Sequence, residues 1–456
     1  MTDVTERAPR IVVIGGVAAG MSAASQAKRR LPGASVIVLE RGPYVSYGSC
    51  GMPYNILDPA RQMDDLVVIP AERFRKERGV DVRTRHEALG IDTGRRTIQA
   101  RELESGRRYE LPYDALVIAT GARAVRPAIR GADLPGVFVL RELTDGAAMK
   151  AYLAEAAPRR AVIVGAGYIG MEMAEALRGR GLEVTVIEKT RQILPGFAPP
   201  IVEQVGAELA RNGVRTETGV ALLEIARAEA GLAVRTDRGT FPADLVLISV
   251  GVRPNVALAE AAGIAIGDTG AIAVDDALRT SAPGVFAAGD CAEARHLVSG
   301  RPAWIPLGTT ANKQGKIAGA NATGAQERFG GVVGSAVFKV FALEVGRTGL
   351  SAADATRLGL DAVGAGSKHR SRGHGYPGSK DVTTVLVVER GSGRLLGGQM
   401  VGGEGVAGRI DVLATALSSR LTVAQIEQLD LAYAPPLAPV YDPILIAAGV
   451  AAKAVG

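Results

Sequence analysis

Cys50 is the residue of this chain best placed for covalent chemistry. It stands in Val45-Ser-Tyr-Gly-Ser-Cys50-Gly-Met-Pro-Tyr54, where Gly51 and Pro53 predict a turn that opens a helix with Cys50 at its start. A thiol at a helix N-terminus is expected to ionise below the usual cysteine range, because unpaired N–H groups and the helix dipole favour the thiolate. The other cysteine, Cys291, follows Gly289-Asp290 and reads as a packed residue beside an apolar strand. With no local thiol partner, oxidised Cys50 is expected as a mixed disulfide with a small thiol, a persulfide or a sulfenic acid. Two cysteines build no disulfide framework, and no Cys/His cluster has metal-ligand spacing, so no metal centre is expected.

The elements that must position this cysteine are legible in two similar segments. The first is Ile11-Val-Val-Ile-Gly15-Gly-Val17-Ala18-Ala-Gly20, followed by an Ala/Ser-rich helical stretch and a strand from Ser35 that ends at Glu40. The second is Ala161-Val-Ile-Val-Gly165-Ala-Gly167-Tyr168-Ile169-Gly170, then a helix with Glu172 and Glu175, then a strand from Glu183 that ends at Glu188. Each reads as strand, glycine turn, helix, strand, acid, which is the first half of a dinucleotide-binding fold. The first glycine permits the sharp turn, a small residue lets the backbone approach a pyrophosphate, and the helix N-terminus offers it N–H groups. The acids, 20 residues past Gly20 and 18 past Gly170, can accept hydrogen bonds from ribose hydroxyls. Val17 stands where the second glycine of the pattern belongs.

Further landmarks extend this plan. Leu116-Val-Ile-Ala-Thr120-Gly121 and Leu247-Ile-Ser-Val-Gly251 read as buried strands ending in glycine turns, where the chain crosses between two nucleotide domains. Gly284-Val-Phe-Ala-Ala-Gly289-Asp290 is an apolar strand whose terminal acid can bond the ribitol of a flavin. From Gly331 the sequence shifts to Val/Gly-rich alternation, with helical stretches near Arg409 to Leu417 and Val423 to Leu429. The expected architecture is α/β: two Rossmann-like dinucleotide-binding domains, the first suited to a flavin nucleotide, plus a separate C-terminal α+β domain. The expected division is 1–120 with 246–330 for the first, discontinuous nucleotide domain, 121–245 for the second, and 331–456 for the C-terminal domain. The chain has 53 Lys and Arg against 47 Asp and Glu, dispersed and with few aromatics among them, which argues against nucleic-acid binding. No apolar run is long enough to span a bilayer and the N-terminus lacks a signal-peptide pattern, so a cytoplasmic protein is expected.

Together these residues resemble the CoA-disulfide reductases, within the single-cysteine flavin reductases that also include NADH oxidases, NADH peroxidases and NADH-dependent persulfide reductases. The likeness covers nearly the whole chain. It is carried by Ser46-Tyr-Gly-Ser-Cys50-Gly-Met-Pro-Tyr54, Ala24-Ser-Gln26-Ala-Lys-Arg29, Leu431-Ala-Tyr433-Ala-Pro-Pro436 and the Gly15-Gly-Val17 turn. Dithiol relatives carry a second cysteine five residues on, where this chain has Asn55, and use a C-terminal histidine as acid–base. The four histidines here, His86, His296, His369 and His374, all lie elsewhere, and Tyr433 takes the corresponding place.

The resemblance implies FAD at Gly15, Val17, Ala18, Gly20, Glu40, Arg41, Ser46, Thr120, Gly121, Gly289 and Asp290. It implies NADH at Gly165, Gly167, Tyr168, Ile169, Gly170, Glu172, Glu188 and Gly251, with Tyr168 as an aromatic gate over the flavin. Glu188 repels a 2′-phosphate, yet Lys189 and Arg191 leave NADPH possible. CoA would lie along the first helix and the cysteine loop, at Ser22, Gln26, Arg29, Ser46, Ser49, Arg78 and Asn312, where guanidinium groups suit phosphates. A homodimer is implied, with 1–120 and 246–330 as the FAD domain, 121–245 as the NAD(P) domain and 331–456 as the dimerisation domain that carries Tyr433 to the active site of the other subunit. The family's Tyr-Tyr-Pro-Gly segment is Gly375-Tyr376-Pro377-Gly378 here, with Tyr376 the remaining candidate, and Leu437 replaces an aromatic residue. The leading expectation is NAD(P)H-dependent reduction of CoA disulfide or a related small disulfide. Oxidase or peroxidase chemistry through a Cys50 sulfenic acid and persulfide or polysulfide reduction share the same motifs. A slow redox-sensing flavoprotein that binds a protein partner is the reading from another class.

Overall fold

The computed structural model describes residues 8–455. Its first sheet is parallel, in the order Val285–Ala287, Ala115–Ile118, Arg10–Ile14, Ser35–Glu40, Asp81–Thr84. The central strand is continuously apolar because both of its faces are covered. Side chains alternate across a strand, so Ile11 and Val13 enter one core and Val12 and Ile14 another. The first core lies under the helices Ala18–Arg30 and Gly308–Asn321; the second lies under the antiparallel ribbons His86–Asp92, Thr97–Glu102 and Arg108–Pro112. Burying each such valine or isoleucine contributes about 1.5–3 kcal/mol.

The second sheet repeats the plan, in the order Val214–Thr218, Glu183–Glu188, Arg160–Val164, Leu245–Ile248, Val137–Phe138, again all parallel. Ala161 and Ile163 face a helical core, whereas Val162 and Val164 face a core under a second three-stranded antiparallel sheet. Leu245–Ile248 pairs with Ala161 to Val164 and so belongs to this sheet. The chain therefore crosses back after Ile248, a few residues later than the expected break at 245/246. The crossing is a short ribbon of Ala122–Ala124 against Val252–Pro254.

The C-terminal part is an antiparallel sheet, in the order Ala336–Val340, Leu343–Gly349, Leu395–Gly402, Asp381–Glu389, Ala362–Arg370. Helices Val406–Ser418, Val423–Glu427 and Pro443–Val455 bury an aliphatic core against it. Among the described residues no helix is long and apolar enough to cross a membrane.

Candidate active site

The two glycine turns are built alike. Gly15 has φ +106° and a Cβ there would lie 2.1 Å from the Ala119 carbonyl oxygen; Gly165 has φ +105° and would meet the Ser249 carbonyl oxygen at 2.5 Å. Only glycine tolerates both the dihedral and the approach. The helices that follow, Ala18–Arg30 and Tyr168–Gly179, start without a capping side chain, which leaves first-turn N–H groups for a ligand. Glu40 accepts from the Gly16 and Gly42 N–H groups, both at 2.6 Å. Glu188 accepts from the Ala166 N–H at 2.8 Å and from the Thr190 N–H and hydroxyl at 2.8 and 2.9 Å. Each carboxylate ties its glycine loop to the loop after its own strand. Burial pushes the Glu40 carboxyl above its ordinary value, against the pull of those two amides.

A cavity of about 720 Å³ opens at the first turn, lined by Gly15, Val17, Glu40, Arg41, Thr120 and Gly121, with Ser49 at the cysteine loop. A second, of about 1280 Å³, is lined by Gly165, Gly167, Tyr168, Ile169, Glu188 and Gly251. Of the other expected contacts, Gly20 and Gly170 lie behind these walls. A Cβ on either would fall 1.8 or 2.1 Å from the carbonyl oxygen of its own turn glycine, so their task is to let the helix pack on the turn. Ala18, Ser46, Gly289, Asp290 and Glu172 are likewise not among the cavity walls. Ser46 instead holds a strained φ of +50° between the glycine turn and Val68, to which it is hydrogen-bonded. A Cβ on Gly167 would meet no atom of the chain and would take cavity space, which fits close approach of a pyrophosphate. The uncapped helix starts and buried carboxylates fit a dinucleotide in each cavity.

Arg141, which no sequence motif marks, lines both cavities. Its Nη2 donates to Asp290 Oδ2 at 2.6 Å and its Nε to the Ala122 carbonyl at 3.0 Å. Asn255 is a second unmarked wall residue of the first cavity. Its amide donates to the Thr120 carbonyl at 2.9 Å, and the Thr120 hydroxyl donates to the Asn255 carbonyl at 2.7 Å.

Cys50 sits in the short turn Ser49–Gly51 that leads into the helix Met52–Leu57, and it is exposed. The expected lowering of its thiol is reversed: desolvation by the surrounding chain, then the charge of Glu172, push it above the ordinary cysteine value. Arg141 and a Ser49 hydrogen bond pull the other way and do not prevail. A three-residue turn before a six-residue helix carries too little aligned dipole to overcome a nearby carboxylate. The Tyr54 hydroxyl donates to Glu172 Oε1 at 2.8 Å, which fixes that carboxyl near the cysteine turn. Burial raises the Glu172 carboxyl in turn. The reactive thiolate therefore grows as pH rises through a raised value, and Glu172→Gln is expected to move the pH profile of Cys50 alkylation to lower pH. Faster labelling by iodoacetamide at neutral pH is the expected readout; an unmoved or upward-shifted profile would refute the assignment.

The position of the missing second cysteine is occupied structurally. Asn55 is fully buried, donates to the Gln62 carbonyl at 2.7 Å, and accepts at 3.0 Å from the Lys150 ammonium. Lys150 also faces the carbonyls of Asn55, Asp58 and Arg61 at 2.9, 2.9 and 2.5 Å, closing the end of the cysteine helix. Cys291 is completely buried, with its Sγ 3.4 Å from the Ala288 carbonyl oxygen, as a packed cysteine should be.

Five of the seven residues expected to hold CoA lie along one track, while Ser46 and Ser49 stay in the cysteine loop. Ser22, Gln26 and Arg29 recur at helical spacing, flush with Ser25, on the partly exposed side of Ala18–Arg30. Gly315 and Gly319 let the helix Gly308–Asn321 press against Ala19 and Ala23, where a Cβ would fall 2.2 Å from a backbone oxygen. That contact brings Asn312 to Ser22, whose hydroxyl donates to its Oδ1 at 2.7 Å. Arg29 Nη1 donates to Gln26 Oε1 at 2.6 Å, and Arg78 Nη1 to Ser25 Oγ at 3.5 Å.

The two tyrosine segments lie together, since the Gly373 N–H donates to the Pro435 carbonyl at 2.9 Å. Gly375 has φ +73°, a conformation that disfavours the tyrosine of the usual pair, while Tyr376 lies under the Arg372 guanidinium at 5.9 Å. Tyr433 is 51% and Leu437 77% exposed. Among the described residues no hydrogen bond or ring contact joins either tyrosine to Cys50.

Residues 9–315 match the family model of pyridine nucleotide-disulphide oxidoreductase, and residues 335–443 match the dimerisation domain of the same family. The chain is 40% identical over 440 residues to a protein of Pyrococcus abyssi named NAD(P)H sulfur oxidoreductase (CoA-dependent), covering 96% of this chain and 97% of the relative. It is 36% identical over 445 residues to an NADH oxidase of Methanocaldococcus jannaschii, covering 97% and 99%. The solved structure of an NAD-dependent persulfide reductase from A. fulgidus superposes with a TM-score of 0.94 at 39% identity, covering 98% of this chain and 83% of that one.

Proposed function

Because this chain belongs to the pyridine nucleotide-disulphide oxidoreductase family, whose members work with FAD and NAD(P)H, we propose that it reduces a sulfur–sulfur bond of a CoA-linked substrate, CoA disulfide or CoA persulfide, through Cys50 alone. The observation that carries this reading is the cysteine turn: one exposed thiol, with the place of a second filled by the buried Asn55, held by Lys150. The serine and arginine track along the first helix suits the phosphates of CoA. The CoA-dependent relative covers the same span at 40% identity.

In this reading FAD occupies the first cavity and NAD(P)H the second. When bound, the flavin relays the electron pair of the hydride to sulfur. Arg141, at the wall common to both cavities, orients the two ligands. The Cys50 thiolate attacks a sulfur of RS–SR, forming Cys50–S–S–R and expelling RS⁻. Two electrons then return Cys50 to the thiolate and release the second RS⁻, with protons taken from solvent. The balance is NADH + H⁺ + RS–SR → NAD⁺ + 2 RSH. For a persulfide, RS–SH and NADH with one proton give RSH, H₂S and NAD⁺. Tyr433 and Tyr376 would reach the partner subunit's Cys50 in a homodimer and protonate or orient the departing thiolate.

Anaerobic NADH consumption by the purified protein, with CoA disulfide and then with CoA persulfide, tests this. Rapid turnover that yields CoA thiol is expected. Negligible anaerobic turnover together with brisk oxygen-dependent NADH oxidation would replace the reading with that of an oxidase.

A further inference from the structure

We propose that Phe338 and Arg347, both on the C-terminal antiparallel sheet, hold the Tyr168 ring aside and so set how readily a nicotinamide enters the second cavity. The inference rests on reading that cavity as the NAD(P)H site. Tyr168 is the first residue of its helix, immediately after the glycine turn, and forms part of the cavity wall. Its ring does not lean on its own domain alone. It stacks on Phe338 with centroids 5.0 Å apart and planes at 28°, and meets Phe197 edge-on at 6.0 Å. Phe338 and Phe197 are themselves perpendicular at 6.2 Å. The Arg347 guanidinium lies over the Phe197 ring at 5.7 Å, and its positive charge favours ionisation of the Tyr168 hydroxyl against the burial that raises it. Asp354, 3.6 Å from Arg347 Nη2, steadies that guanidinium.

The sheet register explains how two residues far apart in function come to share one task. Phe338 pairs with Val345, and Arg347 with Ala336, so Phe338 and Arg347 are diagonal neighbours on one face of an antiparallel ribbon. That face is turned to the nucleotide domain: Phe338, Val340 and Val345 belong to the same core as Met171, Ala174 and Phe197. With the ring parked on Phe338 the cavity keeps its volume of about 1280 Å³. A ring released from Phe338 has the cavity beside it to enter, and there it competes with the nicotinamide. The C-terminal domain thus acts on nicotinamide access through two positioning residues, Phe338 behind the ring and Arg347, which also lines the cavity.

The test is NAD⁺ affinity of the FAD-loaded protein, measured by calorimetry on a double-mutant cycle. Phe338→Leu is expected to weaken NAD⁺ binding about three- to tenfold, in line with loss of one aromatic stack. Arg347→Met, which keeps the stem and removes the guanidinium, is expected to weaken it about two- to fivefold. In a Tyr168→Ala background, where no ring remains to be held, neither substitution should change the affinity further. If Phe338→Leu weakens binding equally in both backgrounds it acts by packing alone, and the proposal is overturned; unchanged binding in the native background overturns it as well. Coupling to Tyr168 in a protein that binds NAD⁺ but reduces no CoA disulfide or persulfide would sustain the latch while sinking the substrate reading. A wild-type protein that binds no NAD⁺ would overturn both.

Discussion

Cys50→Ser is expected to cut NADH-driven reduction of CoA disulfide or persulfide by on the order of 10³-fold or more, while NAD⁺ binding and anaerobic bleaching of the flavin by NADH persist. A serine hydroxyl neither attacks a disulfide at neutral pH nor stores the product as a sulfur–sulfur bond. No other group can substitute. Cys291 is buried completely, and its thiol is pushed up by desolvation. Asn55 is committed to Gln62 and Lys150. Steady-state assays with each substrate, set beside flavin absorbance under NADH, separate the two halves of the reaction. A variant that kept more than a tenth of the disulfide turnover would remove Cys50 from the mechanism.

The second large effect concerns stability. Arg409 and Asp442 are both buried, and Arg409 Nε lies 3.1 and 2.9 Å from the two carboxylate oxygens while Nη2 lies 2.8 Å from one of them. The guanidinium also donates to the Gly405 and Ser371 carbonyls at 3.1 and 3.3 Å. Ser371 leads into the Tyr376 segment, and Asp442 closes the Tyr433 segment just before the helix Pro443–Val455. One ion pair therefore fixes the base of both tyrosine segments. Arg409→Met leaves the Asp442 carboxylate buried without its partner and is expected to cost about 3–5 kcal/mol. Calorimetry should show a lowered melting transition, and a Arg409→Met, Asp442→Leu double variant should recover part of the loss. Recovery distinguishes an unpaired charge from simple loss of packing; an unchanged transition in the single variant would contradict the argument.

What could be read from the sequence, and what could not, divides along chain distance. The glycine turns, their helices and the terminal acids are local patterns with fixed spacing, and the two parallel sheets follow them. The cysteine turn was local too, but its electrostatics were not. Glu172 reaches it from a helix of the other nucleotide domain, tethered by Tyr54, and no spacing rule links the two. Arg141 carries no motif, since it precedes an ordinary helix, and only the fold places it on the wall of both cavities. The same holds for Arg347, whose place over Phe197 depends on a sheet that begins far downstream. Gly20 and Gly170 are legible as glycines of a dinucleotide turn; the structure adds that each lets its helix close on its own turn glycine. The strand Leu245–Ile248 shows the ordinary uncertainty of element ends.

The Glu188 clamp has a consequence for how such a protein can change over generations. The carboxylate that would read the adenosine ribose also receives the Ala166 N–H and both donors of Thr190. Coenzyme choice and loop rigidity are thus written in one side chain. A lineage drifting toward NADPH cannot discard this acid without orphaning the buried Ala166 N–H, so the easier evolutionary path runs through the exposed Lys189 and Arg191 beside it. Relaxed coenzyme preference should accumulate at those neighbours first, with the acid itself among the last residues to yield.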